Sequence, residues 1–259
     1  MFLDENSLRA LILSFFAGIS TVLGAFILFF LKDKNEKIIS ISLGFSGGVM
    51  ISVSFTHLLP HANELLEGYF GHDLGVLLGV LFLVLGVFMA ACLDKFVPHI
   101  NDECSNDYKH QNLFRVGFIS MLAIGLHNFP EGVATFMAGY NNLSLGISVA
   151  IAIALHNIPE GVSVAMPIYC ATGDMKKAFK YTFLSGIVEP IGALLTFLVL
   201  RPYINEFSLG AIFALISGIM LYIAIEELIP SSRQYGYIRI ALISTFVGII
   251  LMPLTHLTH

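Results

Sequence analysis

Two six-residue stretches carry most of the chemistry in this sequence, HNFPEG at residues 127–132 and HNIPEG at residues 156–161. On a helix, positions i and i+4 share a face, so His127 stacks with Glu131 and His156 with Glu160. Asn128 and Asn157 sit one residue further on, about 100° around the axis, where they reach a second, adjacent position. Pro130 and Pro159 have no N–H, which releases the carbonyls of Leu126 and Leu155 from helical bonding. Each motif therefore offers imidazole nitrogen, amide oxygen and carboxylate oxygen on one side of a helix. A third carboxylate, Glu189, stands beside Pro190 in another apolar run.

These groups lie where apolar side chains belong. The chain has 259 residues, of which 56% are hydrophobic and only 12% charged; soluble domains carry about 25% charged residues. An ionised group at the centre of a bilayer costs about 2.5–3.5 kcal/mol on insertion scales. Three carboxylates, with no Lys or Arg expected in the middle of any span, call for a compensating cation. One divalent ion brings the cluster to a single negative charge, and two bring it to a single positive one. Imidazole with carboxylate and amide oxygen, and no thiolate, suits Zn2+, Fe2+, Mn2+, Co2+ or Cd2+ better than Cu+. A closed structural zinc site uses four Cys or His ligands; a mixed, carboxylate-rich site exchanges its metal more readily.

A spanning helix needs roughly 20 mostly apolar residues. Eight segments qualify, at about 8–31, 39–62, 73–93, 113–138, 144–169, 178–200, 208–229 and 236–254. The apolar run of the first is too long for the core of a signal peptide, so it reads as a retained helix. All but two of the 13 Lys and Arg residues, the exceptions being Arg9 and Arg201, fall in the loops after the odd-numbered spans. Positive loops face the cytoplasm. The expectation is an all-α polytopic membrane protein with eight transmembrane helices, both termini outside, and one transmembrane domain over residues 1–259. Cys92, Cys104 and Cys170 then lie near the cytoplasmic face, where thiols stay reduced.

Repeats organise these spans. The fourth and fifth share AIGLHNFPEGV and AIALHNIPEGV and cross the membrane in opposite directions. FFAGISTVLGA in the first span resembles FLSGIVEPIGA in the sixth, aligning Thr21 with Glu189. GGVMISVSFTHLLP in the second resembles SGIMLYIAIEELIP in the seventh, aligning His57 with Glu227. The third and eighth spans share only a glycine. The predicted arrangement is 3+2+3, with spans 1–3 and 6–8 as inverted repeats around the central pair, and the two motifs at midplane depth, where secondary transporters hold their substrates.

Further polar groups extend a path towards both surfaces. His57 and His61 form a candidate entrance on the outer half of the second span. Asp94, Glu226 and Glu227 are candidate exit groups at the cytoplasmic ends of the third and seventh. The longest polar segment, residues 95–112, reads as a solvated linker, although His99, Asp102, Glu103, Cys104 and His110 could bind metal weakly. No basic patch suited to nucleic acid is present. The residue after the first motif histidine is Asn rather than the general-base Glu of H-E-x-x-H, which disfavours an intramembrane metalloenzyme. The glycines of GVLLGVLFLVLG in the third span allow close packing, inside one chain or in a homodimer.

LHNFPEGVATF, ALHNIPEGVSVA and PIYCATG resemble the ZIP family of divalent metal transporters, and within it the bacterial ZupT-type zinc-uptake branch. The likeness covers all eight spans. It implies a transporter, not an enzyme, in the bacterial cytoplasmic (inner) membrane. Such a protein imports Zn2+ and related ions by alternating access, with a selective channel as the alternative. The metal is transported substrate and no cofactor is implied. The resemblance also implies a two-metal centre. His127, Glu131, His156 and Glu160 would hold one ion, and Asn128, Asn157 and Glu189, with the two motif glutamates bridging, the other. It further implies that Asp94, His99, Glu226 and Glu227 serve the cytoplasmic exit.

The sequence departs from the family pattern at two places. The cytoplasmic loop lacks a dense histidine run, and THLLPHA has histidines where relatives carry an acidic residue. Because His titrates near 6.5, the outer entrance is expected to be pH-sensitive. Replacing His57 and His61 by Ala should flatten the pH profile of metal uptake, and an unchanged profile would rule out this role.

Overall fold

Apolar runs of this length satisfy their backbone polar groups inside a bilayer only as helices, and the described residues contain no other regular structure. The computed structural model describes residues 4–26, 28, 36–96, 108–200, 202–203 and 205–254. The helices are α1 (Glu5–Ala25), α2 (Glu36–Phe70), α3 (His72–Phe96), α4 (Tyr108–Asn141), α5 (Leu143–Thr172), α6 (Met175–Leu200), α7 (Glu206–Arg233) and α8 (Ile238–Leu254). Seven carry windows long and apolar enough to cross a membrane, and α8, of 17 residues, is a shorter apolar helix. The chain is an all-α polytopic membrane protein.

Local chemistry sets several boundaries. Asp4 accepts a hydrogen bond from the Ser7 N–H and starts α1. Asp174 accepts from the N–H groups of Lys176 and Lys177 at the start of α6. Asn205 and Ser208 exchange side-chain bonds at the start of α7; such caps satisfy otherwise orphaned N–H groups. Helix α2 runs eight residues past the apolar window that marks it in the sequence. Ala62 and Leu66 explain the extension, because both are fully buried and pack on Gly210 of α7. Helices α4 and α5 continue through Pro130, Pro159 and Pro167, whereas α6 breaks at Gly186–Ile187, just before Glu189.

The eight helices pack as two groups. Helices α1, α4, α5 and α6 pack on one another, and so do α2, α3, α7 and α8, with α2 against α5 and α4 against α7 joining the groups. The outward faces of α3 and α8 expose Leu77, Leu81, Phe88, Ile243, Phe246 and Ile250, as lipid-facing helices do.

The glycines show that the inverted repeat is three-dimensional. A Cβ on Gly161 would lie 1.8 Å from the Thr21 carbonyl oxygen, and one on Gly132 would lie 1.9 Å from that of Glu189. Thr21 and Glu189 are the residues that the internal alignment pairs. Gly24 meets the carbonyl of Ile158 and Gly192 that of Phe129, each at 2.3 Å for the added carbon. The other group repeats the pattern. Gly48 of α2 abuts the Thr245 carbonyl of α8 as Gly218 of α7 abuts Leu83 of α3, and Gly248 meets Phe45 as Gly86 meets Leu215. The relation therefore exchanges α1 with α6, α2 with α7, α3 with α8 and α4 with α5. Two of the three π-helical turns also correspond, Ser54–Leu58 in α2 and Ile223–Leu228 in α7. They hold His57 and Glu227 and precede Pro60 and Pro230.

In a membrane, where lipid competes for apolar surface, close backbone approach is what lets helices associate. Gly161→Ala and Gly218→Ala should each cost about 1–3 kcal/mol through overpacking. Gly125→Ala should be tolerated, since its added carbon would meet only Val188 at 3.6 Å. Thermal unfolding in detergent checks this: the first two variants should melt clearly lower than wild type and the third close to it.

Candidate metal centre

The two motif helices α4 and α5, with α1 and the broken α6, bring the motif side chains together. His127, Asn128, Glu131, Asn157, Glu160 and Glu189 are each between 0% and 4% exposed. His127 Nε2 lies 3.0 Å from Glu131 Oε1 on its own helix and 3.6 Å from Glu160 Oε1 on the other. Glu189 interacts electrostatically with both Glu131 and Glu160. One imidazole and three carboxylates from three helices thus share one dry site. The side chain of His156 lies outside the described residues. Among the described residues no three His, Cys, Asp or Glu side chains form a ready-made coordination cage.

The two asparagines are oriented from behind. Asn128 Nδ2 donates to the Ser185 carbonyl at 3.0 Å, and Asn157 Nδ2 donates to the Ala17 carbonyl at 3.0 Å. A backbone carbonyl only accepts, so the atom facing it must be the amide nitrogen. Ala17 and Ser185 are themselves equivalent in the α1/α6 repeat. Asn157 Nδ2 also donates to Glu189 Oε2 at 2.9 Å. With the nitrogens engaged, Asn128 Oδ1, Asn157 Oδ1 and Glu189 Oε1 are buried with no hydrogen-bond partner among the described residues. Buried oxygens with no donor are costly, and they suit a cation. Partners of this kind, which hold a ligand's other atom, set the ligand's direction towards a metal.

The candidate exit holds a residue that sequence reasoning placed in the wrong environment. Arg115, counted among the cytoplasmic loop cations, is 7% exposed inside α4. Its guanidinium pairs with Asp94 Oδ1 of α3, and its Nη1 donates to Glu227 Oε1 of α7 at 2.9 Å. Nη2 also donates to the Asp94 carbonyl at 3.2 Å, and the Tyr222 hydroxyl donates to Asp94 Oδ2 at 3.3 Å. Arg is tolerated here because its forked donors satisfy two carboxylates at once. The one signal in the sequence is its position within the apolar run LFRVGFIS. Glu226, beside Glu227, is exposed and outside this network.

The remaining candidates are more scattered. His57 is half-buried in the α2 π turn, whereas His61 is exposed on the following α-helical turn, 3.5 Å from Glu64 and against the Phe213 ring. His99, Asp102, Glu103 and Cys104, like the side chain of His110, lie outside the described residues. Among the described residues Cys92 and Cys170 form no disulfide, and the Cys170 thiol donates to Met166 Sδ at 3.8 Å.

The chain matches the family described as ZIP Zinc transporter over residues 7–113 and 101–255. The zinc transporter ZupT of Chlorobium chlorochromatii (strain CaD3) is 42% identical over 264 residues, with 98% of each chain covered. That of Streptococcus mutans serotype c is 42% identical over 259 residues, again with 98% of each covered. That of Clostridium perfringens (strain 13 / Type A) is 41% identical over 97% of this chain and 96% of its own. These matches run through all eight helices, both histidine motifs and Glu189, and they place this chain in the ZIP zinc transporter family.

Proposed function

We propose that this protein imports divalent metal, Zn2+ above all, across the bacterial cytoplasmic membrane into the cell. Residues 1–259 act as one transport domain. The observation that carries this reading is the convergence of six buried polar side chains from three helices, with three oxygens left open to a cation. His127, Glu131, Glu160 and the imidazole of His156 hold one ion. Asn128, Asn157 and Glu189 hold a second, with Glu131 and Glu160 bridging the two. The borderline ligand set admits Fe2+, Mn2+, Co2+ and Cd2+ as well.

The fold favours a carrier over a channel. All six described side chains are at most 4% exposed, so among the described residues no open aqueous path reaches them. Motion of the α1, α4, α5, α6 group against the other, along the α2/α5 and α4/α7 contacts, would give alternating access. Outer metal would enter past His57 and His61. Inner metal would leave past Asp94, Glu227 and Glu226, with His99 beyond them.

Uptake of radioactive zinc into proteoliposomes tests the proposal. Outer-shell partners of a metal already cost about 10–100-fold when removed, so Glu131→Ala and Glu160→Ala should reduce uptake by at least that much. Uptake that survived both substitutions would exclude this centre. Wild-type uptake should saturate with zinc concentration and fall steeply on cooling, as a carrier's does.

A further inference from the structure

The pseudo-two-fold relation that builds the centre is obeyed by the glycine and asparagine contacts around it and broken between Thr21 and Glu189. Gly132 rests on the carbonyl of Glu189 and Gly161 on that of Thr21. Asn128 bonds the carbonyl of Ser185 and Asn157 that of Ala17. Where α1 crosses α6, Gly18 lies under Glu189 and Gly186 under Thr21: an added carbon would meet each partner's Cβ at 3.0 Å. Thr21 therefore stands to Asn128 and α4 as Glu189 stands to Asn157 and α5. The Glu189 carboxylate reaches Asn157 directly. Thr21 is shorter, is 0% exposed, and its Oγ1 has no hydrogen-bond partner among the described residues.

We propose that Thr21 is a further oxygen-donating residue of the metal centre. Its hydroxyl supplies a neutral oxygen on the Asn128 side, either to the divalent ion or to a water that the ion holds. The inference rests on the reading of the centre as a metal site and adds to it an oxygen from a fourth helix, α1. It also gives the asymmetry a purpose. A glutamate at both mirrored positions would put four carboxylates around the metal, which would hold a divalent cation more tightly and release it more slowly. A hydroxyl on one side keeps the oxygen and omits the charge.

Valine has the shape of threonine without the hydroxyl, so Thr21→Val isolates the group. Removing a buried hydroxyl that has no partner should leave the metal-free protein at least as stable as wild type. Zn2+ binding should nevertheless weaken by about 3–10-fold, the loss of one hydrogen-bond-sized interaction. Thr21→Ser, which keeps the oxygen, should bind within about 2-fold of wild type. Purified protein in detergent, with metal-free thermal melting and Zn2+ titration calorimetry, gives both readouts. Valine with unchanged zinc affinity would overturn the proposal. So would valine that melted lower, or failed to fold, without metal, because the hydroxyl would then be serving the fold. Glu160→Gln separates the underlying reading: if it too bound zinc as wild type does, the centre itself would fail. If Glu160→Gln lost zinc and Thr21→Val did not, only the role of Thr21 would.

Discussion

Everything in this protein depends on how closely the helices of the α1, α4, α5, α6 group approach one another. The last residue of each histidine motif, Gly132 and Gly161, is the point where a backbone carbonyl of the neighbouring helix comes too near for any side chain. The carboxylates Glu131 and Glu160 precede those glycines directly. A contact that looks like packing is therefore also what sets the depth and spacing of the charges. Inside a bilayer the hydrophobic effect does not drive helices together, so such contacts carry the association. The polar groups they enclose are then held in a dry site, where each interaction is strong and each missing partner is expensive.

The scaffold is nearly symmetric and the centre is not. Helices α1 and α6 supply equivalent carbonyls, from Ala17 and Ser185, to equivalent asparagines, and equivalent glycines to the crossing. Upon that frame Glu189 and Thr21 differ. Symmetric packing presents equivalent backbone surfaces to the two motif helices from opposite sides. An unsymmetric ligand set allows the charge of the site to be adjusted without disturbing the frame. The same separation holds further out, where matching π turns carry His57 on one side and Glu227 on the other.

The Arg115 cluster shows a second way of keeping carboxylates in a low-dielectric interior. At the centre, the buried carboxylates Glu131, Glu160 and Glu189 lie beside the oxygens of Asn128 and Asn157, and on the reading proposed above their counter-charge is the transported cation. Away from it, Asp94 and Glu227 share a cation that belongs to the chain, the guanidinium of Arg115. Its fork bridges α3, α4 and α7 and so ties the two helix groups where they meet.

The sequence by itself determined the membrane class, the helical content, the paired motifs and the family, because hydropathy and i, i+4 spacing are local properties of the chain. It also showed the repeat for α1 with α6 and α2 with α7, but only a single glycine for α3 with α8. In three dimensions that glycine proved sufficient, because Gly86 and Gly248 each receive a carbonyl from the opposite half of the chain. Arg115 was misplaced for the same reason: its partners Asp94 and Glu227 belong to other helices, and an arginine near a loop is ordinarily solvated. The direction of each asparagine, the extension of α2 over Ala62 and Leu66, and the orphaned hydroxyl of Thr21 were likewise decided by tertiary structure. Each depends on which backbone carbonyl or glycine a distant helix presents, and no local pattern encodes that.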